Sequence, residues 1–303
     1  GALNFVAVRL IRFYPLLFLG LSLGALRLAG DALIGNGDRN PAFWLGQAPQ
    51  FFFLPVAPFT ANTLFPFNPP AWSLFAELLI NIAFVLAWPR LGVKALLAIV
   101  LAGAASVAAV AFWFHGLSVG WGWGNIAALF ARVTFGFPAG VLLYRLYQKG
   151  WRAPRTWSAV LLVVLAAIMF VPVPPPLHAL WDTAFVLVVS PLCVWLGTAA
   201  VNSPVGEVLA KLSGRLSYAV YAIHYPLIGL LFGLDWKFTH IAAHQPWVAA
   251  FLLTIGVLLA AWLADAYFDA PTRRLLTQAW FKGRPRPTAP ALVGGIDDSG
   301  RAE

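Results

Sequence analysis

The chain has 303 residues, 61% of them hydrophobic and 10% charged, whereas an ordinary soluble domain carries about a quarter charged residues. That composition excludes a water-soluble fold and points to an all-α, polytopic membrane bundle. The formal net charge of +9 raises nucleic acid as a partner, but the positions of the cations give a different reason for it.

Stretches of about 17 to 25 apolar residues, long enough to cross the hydrocarbon layer, recur between short polar or Pro/Gly breaks. In chain order the predicted spans are 5–28, 71–88, 95–114, 125–147, 156–172, 180–200, 215–234 and 247–269, eight in all. If the first enters from the cytoplasm, sixteen of the 20 Lys and Arg residues fall on the cytoplasmic side or at that boundary. This sets the orientation, with both termini cytoplasmic. The positive charge is therefore a topology signal, and no nucleic-acid partner is expected. Residues 30–70 form the longest connection. Within it, Trp44 to Phe59 is broken by Pro49, Pro55 and Pro58 and is expected to lie in or dip into the membrane interface. Residues 1–282 read as one membrane domain and 283–303 as a disordered cytoplasmic tail. The single Cys193 excludes an intrachain disulfide and reads as packing.

Ionisable groups inside a bilayer are costly and mark function. Glu77 lies five residues into the second span from Trp72, and Arg132 seven into the fourth from Asn125. By helical rise both are expected about 8 to 10 Å below the outer surface, where they could pair. Arg9 and Arg12 share a helical face at the cytoplasmic edge, suited either to ligand phosphates or to plain positive-inside anchoring. Ser217, Tyr221 and His224 share one face of the seventh span, with a hydrogen-bonded structural His as the plainer alternative. The pairs His178/Asp182 and His240/His244 match catalytic and metal spacings. The first falls in an expected extracytoplasmic loop and the second lacks a third ligand, so neither is carried forward and no metal is expected.

Four segments, in order along the chain, resemble the acyltransferase 3 family of membrane O-acyltransferases. Arg9, Arg12 and Pro15 match its R-x-x-R-x-x-P. Trp72, Ser73 and Glu77 match W-S-L-x-x-E, the most specific of the four. Arg132, Phe137 and Gly140 match R-x-x-x-x-F-x-x-G. Gly214, Arg215, Ser217, Tyr218, Tyr221, His224 and Pro226, followed by Tyr267, Asp269, Pro271 and Arg273, are similar to its last two helices, with Asp269 where Glu is more usual.

The resemblance implies ten helices in the complete fold, with a catalytic histidine on the first. The first helix visible here corresponds to the third, so the expectation is that two helices and that histidine precede Gly1 and that this chain alone is inactive. It also implies transfer of an acyl group, commonly acetyl, from cytoplasmic acyl-CoA to a hydroxyl of a saccharide or lipid-linked glycan. The expected setting is the bacterial inner membrane, with membrane lipids as surroundings and no tightly bound cofactor. The expected roles are Arg9 and Arg12 for the donor, Trp72 and Ser73 for the acceptor, and Glu77, Arg132, Tyr221 and His224 in catalysis. The competing expectation is a secondary transporter or channel with an intramembrane Glu/Arg/His site.

Overall fold

The computed structural model describes residues 2–87, 91–154, 157, 163–165, 167–168, 170–199 and 204–283. The helices are α1 (Ala2–Leu33), α2 (Pro41–Gly46), α3 (Ala71–Ala87), α4 (Val93–Trp113), α5 (Ile126–Gln148), α6 (His178–Ala184), α7 (Ser190–Leu196), α8 (Pro204–Phe238), α9 (Ile241–His244), α10 (Pro246–Leu263) and α11 (Ala270–Phe281). A π-helical turn, Phe185–Val189, fuses α6 to α7, and a second, Ala264–Asp269, fuses α10 to α11. Among the described residues there is no β-strand, only an isolated bridge between Thr63 and Gly122. The all-α bundle expected from composition is thus observed.

Six helical segments among the described residues are long and apolar enough to cross a membrane. The 17-residue α3 is apolar but shorter. Pro15, Pro138 and Pro226 sit inside α1, α5 and α8, as transmembrane helices allow when neighbours satisfy the freed carbonyls. About half of the predicted span 156–172, and all of the tail from 284 onward, lie outside the described residues. The flanks of that span are at opposite ends of the bundle. Ala153 donates its N–H to Thr198 beyond the end of α7, whereas His178 lies against Gly116 beyond the end of α4.

Packing follows hand-to-hand along the chain. α4 and α5 form an antiparallel hairpin, with Gly103 on Phe135 and the Leu91 carbonyl accepting from Arg145. α1 and α8 run parallel. Phe13 meets Tyr218, Gly20 meets Ala222 and Arg27 meets Gly229. Small residues at these crossings let the backbones approach closely, the usual basis of helix association without a hydrophobic driving force.

The connection between α1 and α3 does not stay in the interface. Its 3₁₀ turn Ala48–Phe52 reaches far enough that Tyr14 donates its hydroxyl to the Phe51 carbonyl at 2.8 Å. By helical rise that contact is about 28 Å from the end of α1. Phe67 then lies on Gly24, and Asn68 donates to the Ala222 carbonyl at 2.8 Å beside Gly20. The segment is therefore re-entrant. Non-helical backbone survives at such depth only inside protein that supplies its hydrogen bonds. Gln50 accepts from the Phe67 N–H at 3.0 Å, Trp123 donates to the Val56 carbonyl at 3.0 Å, and Leu64 N–H donates to the Trp121 carbonyl at 3.0 Å. Phe53, Phe65 and Phe67 are buried in the same core as Phe13, Leu17 and Leu74. As a result α3 begins part-way down α1, which explains its short length.

Candidate functional site

The first turn of α3 brings two hydroxyls together. Ser73 Oγ and the Tyr221 hydroxyl lie within hydrogen-bonding reach of each other and of the Pro70 carbonyl, at 3.1 Å and 2.9 Å respectively, so their two protons serve two of these three contacts. Tyr221 comes from α8, so the pair exists only because the re-entrant segment sets Pro70 against that helix. The ring of His224 is 5.8 Å from that of Tyr221. Its Nδ1 lies 2.8 Å and 3.1 Å from the carbonyls of Tyr221 and Val220. Both carbonyls are acceptors, so Nδ1 carries a proton. Ser217 is not part of this group, because its hydroxyl donates to the Gly214 carbonyl at 3.1 Å and is exposed.

Arg132 on α5 holds its guanidinium over the Trp72 indole, 5.3 Å from the ring centroid. That contact brings an acceptor-site candidate and a charge candidate together. The carboxylate whose charge acts on Arg132 is Asp182; the charges acting on Glu77 are those of Arg9 and Arg12. No ion pair joins Glu77 to Arg132 among the described residues, so the expected pairing of the two is corrected. The depth argument assumed that α3 starts at the outer surface. It starts in the interior instead, and six residues further on Glu77 has descended to the arginines near the start of α1. Asp182, set aside at first, accepts from the Leu117 N–H at 2.7 Å and provides the carboxylate near Arg132. His178 is held by the Val173 carbonyl at 2.9 Å.

The polar groups thus form a track along α1. Arg9, Arg12 and Glu77 occupy its lower part, and Ser73 and Trp72, with their neighbours Tyr221 and Arg132, lie about 6 to 8 Å above Glu77 by helical rise along α3. The family model for an acyltransferase domain matches residues 1–266. The chain belongs to the acyltransferase 3 family. It is a multi-pass membrane acyltransferase, and every residue of the track lies inside the matched region. No curated protein and no solved structure matches it.

This acyltransferase carries a second charged cluster, only partly legible beforehand. The π turn between α10 and α11 tucks the Asp265 and Asp269 carboxylates inward, each 2% exposed. Asp265 accepts from Arg215 and lies 3.8 Å from Arg273, which is 2.9 Å from Asp269. Arg215, Asp269 and Arg273 belong to the quoted motif residues. Asp265 was missed, although a lone carboxylate in an apolar span is itself a signal. Tyr218 links the clusters. It donates to the Phe13 carbonyl and is acted on by Asp269 and Arg273 on one side and by Glu77 and Arg12 on the other.

Proposed function

We propose that this membrane acyltransferase moves an acyl group, acetyl in the simplest case, from acyl-CoA to a hydroxyl of a saccharide or lipid-linked glycan. Supporting this is the polar track, with guanidinium groups at one end and a hydroxyl pair at the other. Arg9 and Arg12 hold the donor phosphates on the side where α1 begins, taken as the cytoplasmic face of a bacterial inner membrane. Trp72 and Ser73 receive the acceptor. In the transfer the acceptor oxygen forms a bond to the thioester carbonyl carbon and gives its proton to a base. The carbon–sulfur bond then breaks, and the CoA thiolate takes up a proton.

Charge develops on the carbonyl oxygen, and a preorganised donor aimed at it is the largest single aid available. Tyr221 fills that role by turning its hydroxyl from the Pro70 carbonyl toward the oxyanion, with the opposing charges of Glu77 and Arg132 both acting on it. Glu77 keeps the two lower arginines oriented, and the His224 imidazole stands beside the tyrosine ring.

The test uses the full-length protein in lipid nanodiscs with radiolabelled acetyl-CoA. Tyr221→Phe lowers kcat by about 10² to 10³, as loss of one oxyanion donor does, with KM for the donor unchanged. Arg9→Gln and Arg12→Gln raise that KM. Unchanged kcat in the first variant together with unchanged KM in the other two would remove the proposal.

A further inference from the structure

Asn81 is 1% exposed and stands one helical turn beyond Glu77 on α3. Residues four apart share a helical face, so Asn81 lies on the Glu77 face. α3 is descending there toward the start of α1, and the helical rise puts Asn81 at the depth of Arg9 and Arg12. Its Nδ2 donates to the Glu77 carbonyl at 2.7 Å. This bond fixes the amide's orientation, because the flipped amide would set two carbonyl oxygens against each other. Oδ1 is then a buried acceptor with no partner. A buried polar atom in that state calls for a ligand or water, since leaving it unmet carries the full desolvation cost.

The position selects the ligand chemistry. Arginine neighbours need no acceptor to hold phosphates, and Ser73 at the transfer site is about 12 Å back along α3 from Asn81. A ligand that runs from the arginines to Ser73 alongside α3 meets the Glu77–Asn81 face. In acyl-CoA the connecting piece is the pantetheine arm, which carries two amide N–H donors. We propose that Asn81 Oδ1 accepts a hydrogen bond from a pantetheine amide N–H, fixing the depth to which the thioester reaches. Asn81 is thereby a donor-binding and positioning residue. The inference rests on the acyl-CoA reading above.

The experiment measures binding of CoA and of adenosine 3′,5′-bisphosphate, which has phosphates but no pantetheine, to the full-length protein in nanodiscs. Asn81→Leu weakens CoA binding about tenfold, the scale of one buried hydrogen bond, and leaves the bisphosphate unchanged. Arg9→Gln weakens both. A CoA analogue methylated on its pantetheine amide nitrogens supplies the complementary change without touching the fold. It binds wild type about tenfold more weakly than CoA and binds Asn81→Leu as CoA does. Equal weakening of CoA and bisphosphate by Asn81→Leu, or equal binding of CoA and its methylated analogue to wild type, overturns the role of Asn81 alone. Failure of wild type to bind either CoA or the bisphosphate overturns the donor reading itself.

Discussion

Alanine at Gly24 is the sharpest probe of the re-entrant segment. A Cβ there would lie 1.8 Å from the Phe67 carbonyl oxygen and 2.5 Å from its carbon. Both atoms are backbone, so relief requires moving the segment rather than turning a side chain. Overpacking of this kind costs about 1 to 3 kcal/mol and sometimes more, against a gain of about 1 kcal/mol for replacing helical glycine by alanine. The contact is far inside van der Waals range, which places the net effect at a loss of about 2 kcal/mol or more. Gly30 on the same helix is the control, because a Cβ there meets nothing within 4 Å. Gly30→Ala keeps the propensity gain of up to about 1 kcal/mol. Thermal unfolding of the two variants in one detergent, followed by size-exclusion chromatography after a heating series, should move in opposite directions. Gly24→Ala should also lose acyl transfer, because the displaced segment carries Pro70 and with it the Ser73–Tyr221 pair. A Gly24→Ala protein that unfolds at or above the wild-type temperature would show that Phe67 does not rest on α1.

Three further outcomes follow from the charges and the topology. Glu77→Gln should reduce folded yield by removing the carboxylate that interacts electrostatically with Arg9 and Arg12; its effect should add to that of Arg132→Gln, and a rescue in the double variant would restore the pairing discarded above. Asp265→Asn should destabilise by about 3 kcal/mol, and Arg215→Gln by about 1 kcal/mol or less, because the arginine side chain is 54% exposed and can hydrate; chemical unfolding of the two variants in detergent checks the order, and equal losses would refute it. In a Cys193→Ser background, Ser118→Cys should react with an impermeant thiol reagent in intact cells and Lys149→Cys only after permeabilisation; the reverse pattern would invert the proposed orientation.

Much of the bundle was legible because hydropathy and the placement of cations report crossings directly. The meeting of Ser73 with Tyr221, and of Trp72 with Arg132, was only partly legible. Each was singled out, but nothing in a one-dimensional pattern says which faces meet. The Glu77–Arg132 pairing failed for a specific reason. Counting residues from a helix end gives depth only if that end is at the surface, and the three prolines taken to hold Trp44 to Phe59 in the interface permit a descent into the protein equally well. Asp265 is legible only as a carboxylate in an apolar span, and the π turn that tucks it inward is not, nor is the missing partner of Asn81 Oδ1.

The parallel contact of α1 with α8 has a consequence for the order of assembly. Tyr221 and Pro70 are 151 residues apart, Asn68 and Ala222 154, and Tyr218 and Phe13 205. Synthesis delivers the amino-terminal helices first, so α1 to α5 enter the bilayer while the Asn68 amide and the tyrosine-accepting carbonyls still wait for α8. A ribosome stalled after Gln148 would leave inserted helices around an open notch along the glycine face of α1, with no hydroxyl pair in it. Surveillance that recognises unsatisfied polar groups within lipid would find its target there, in the interval before α8 arrives.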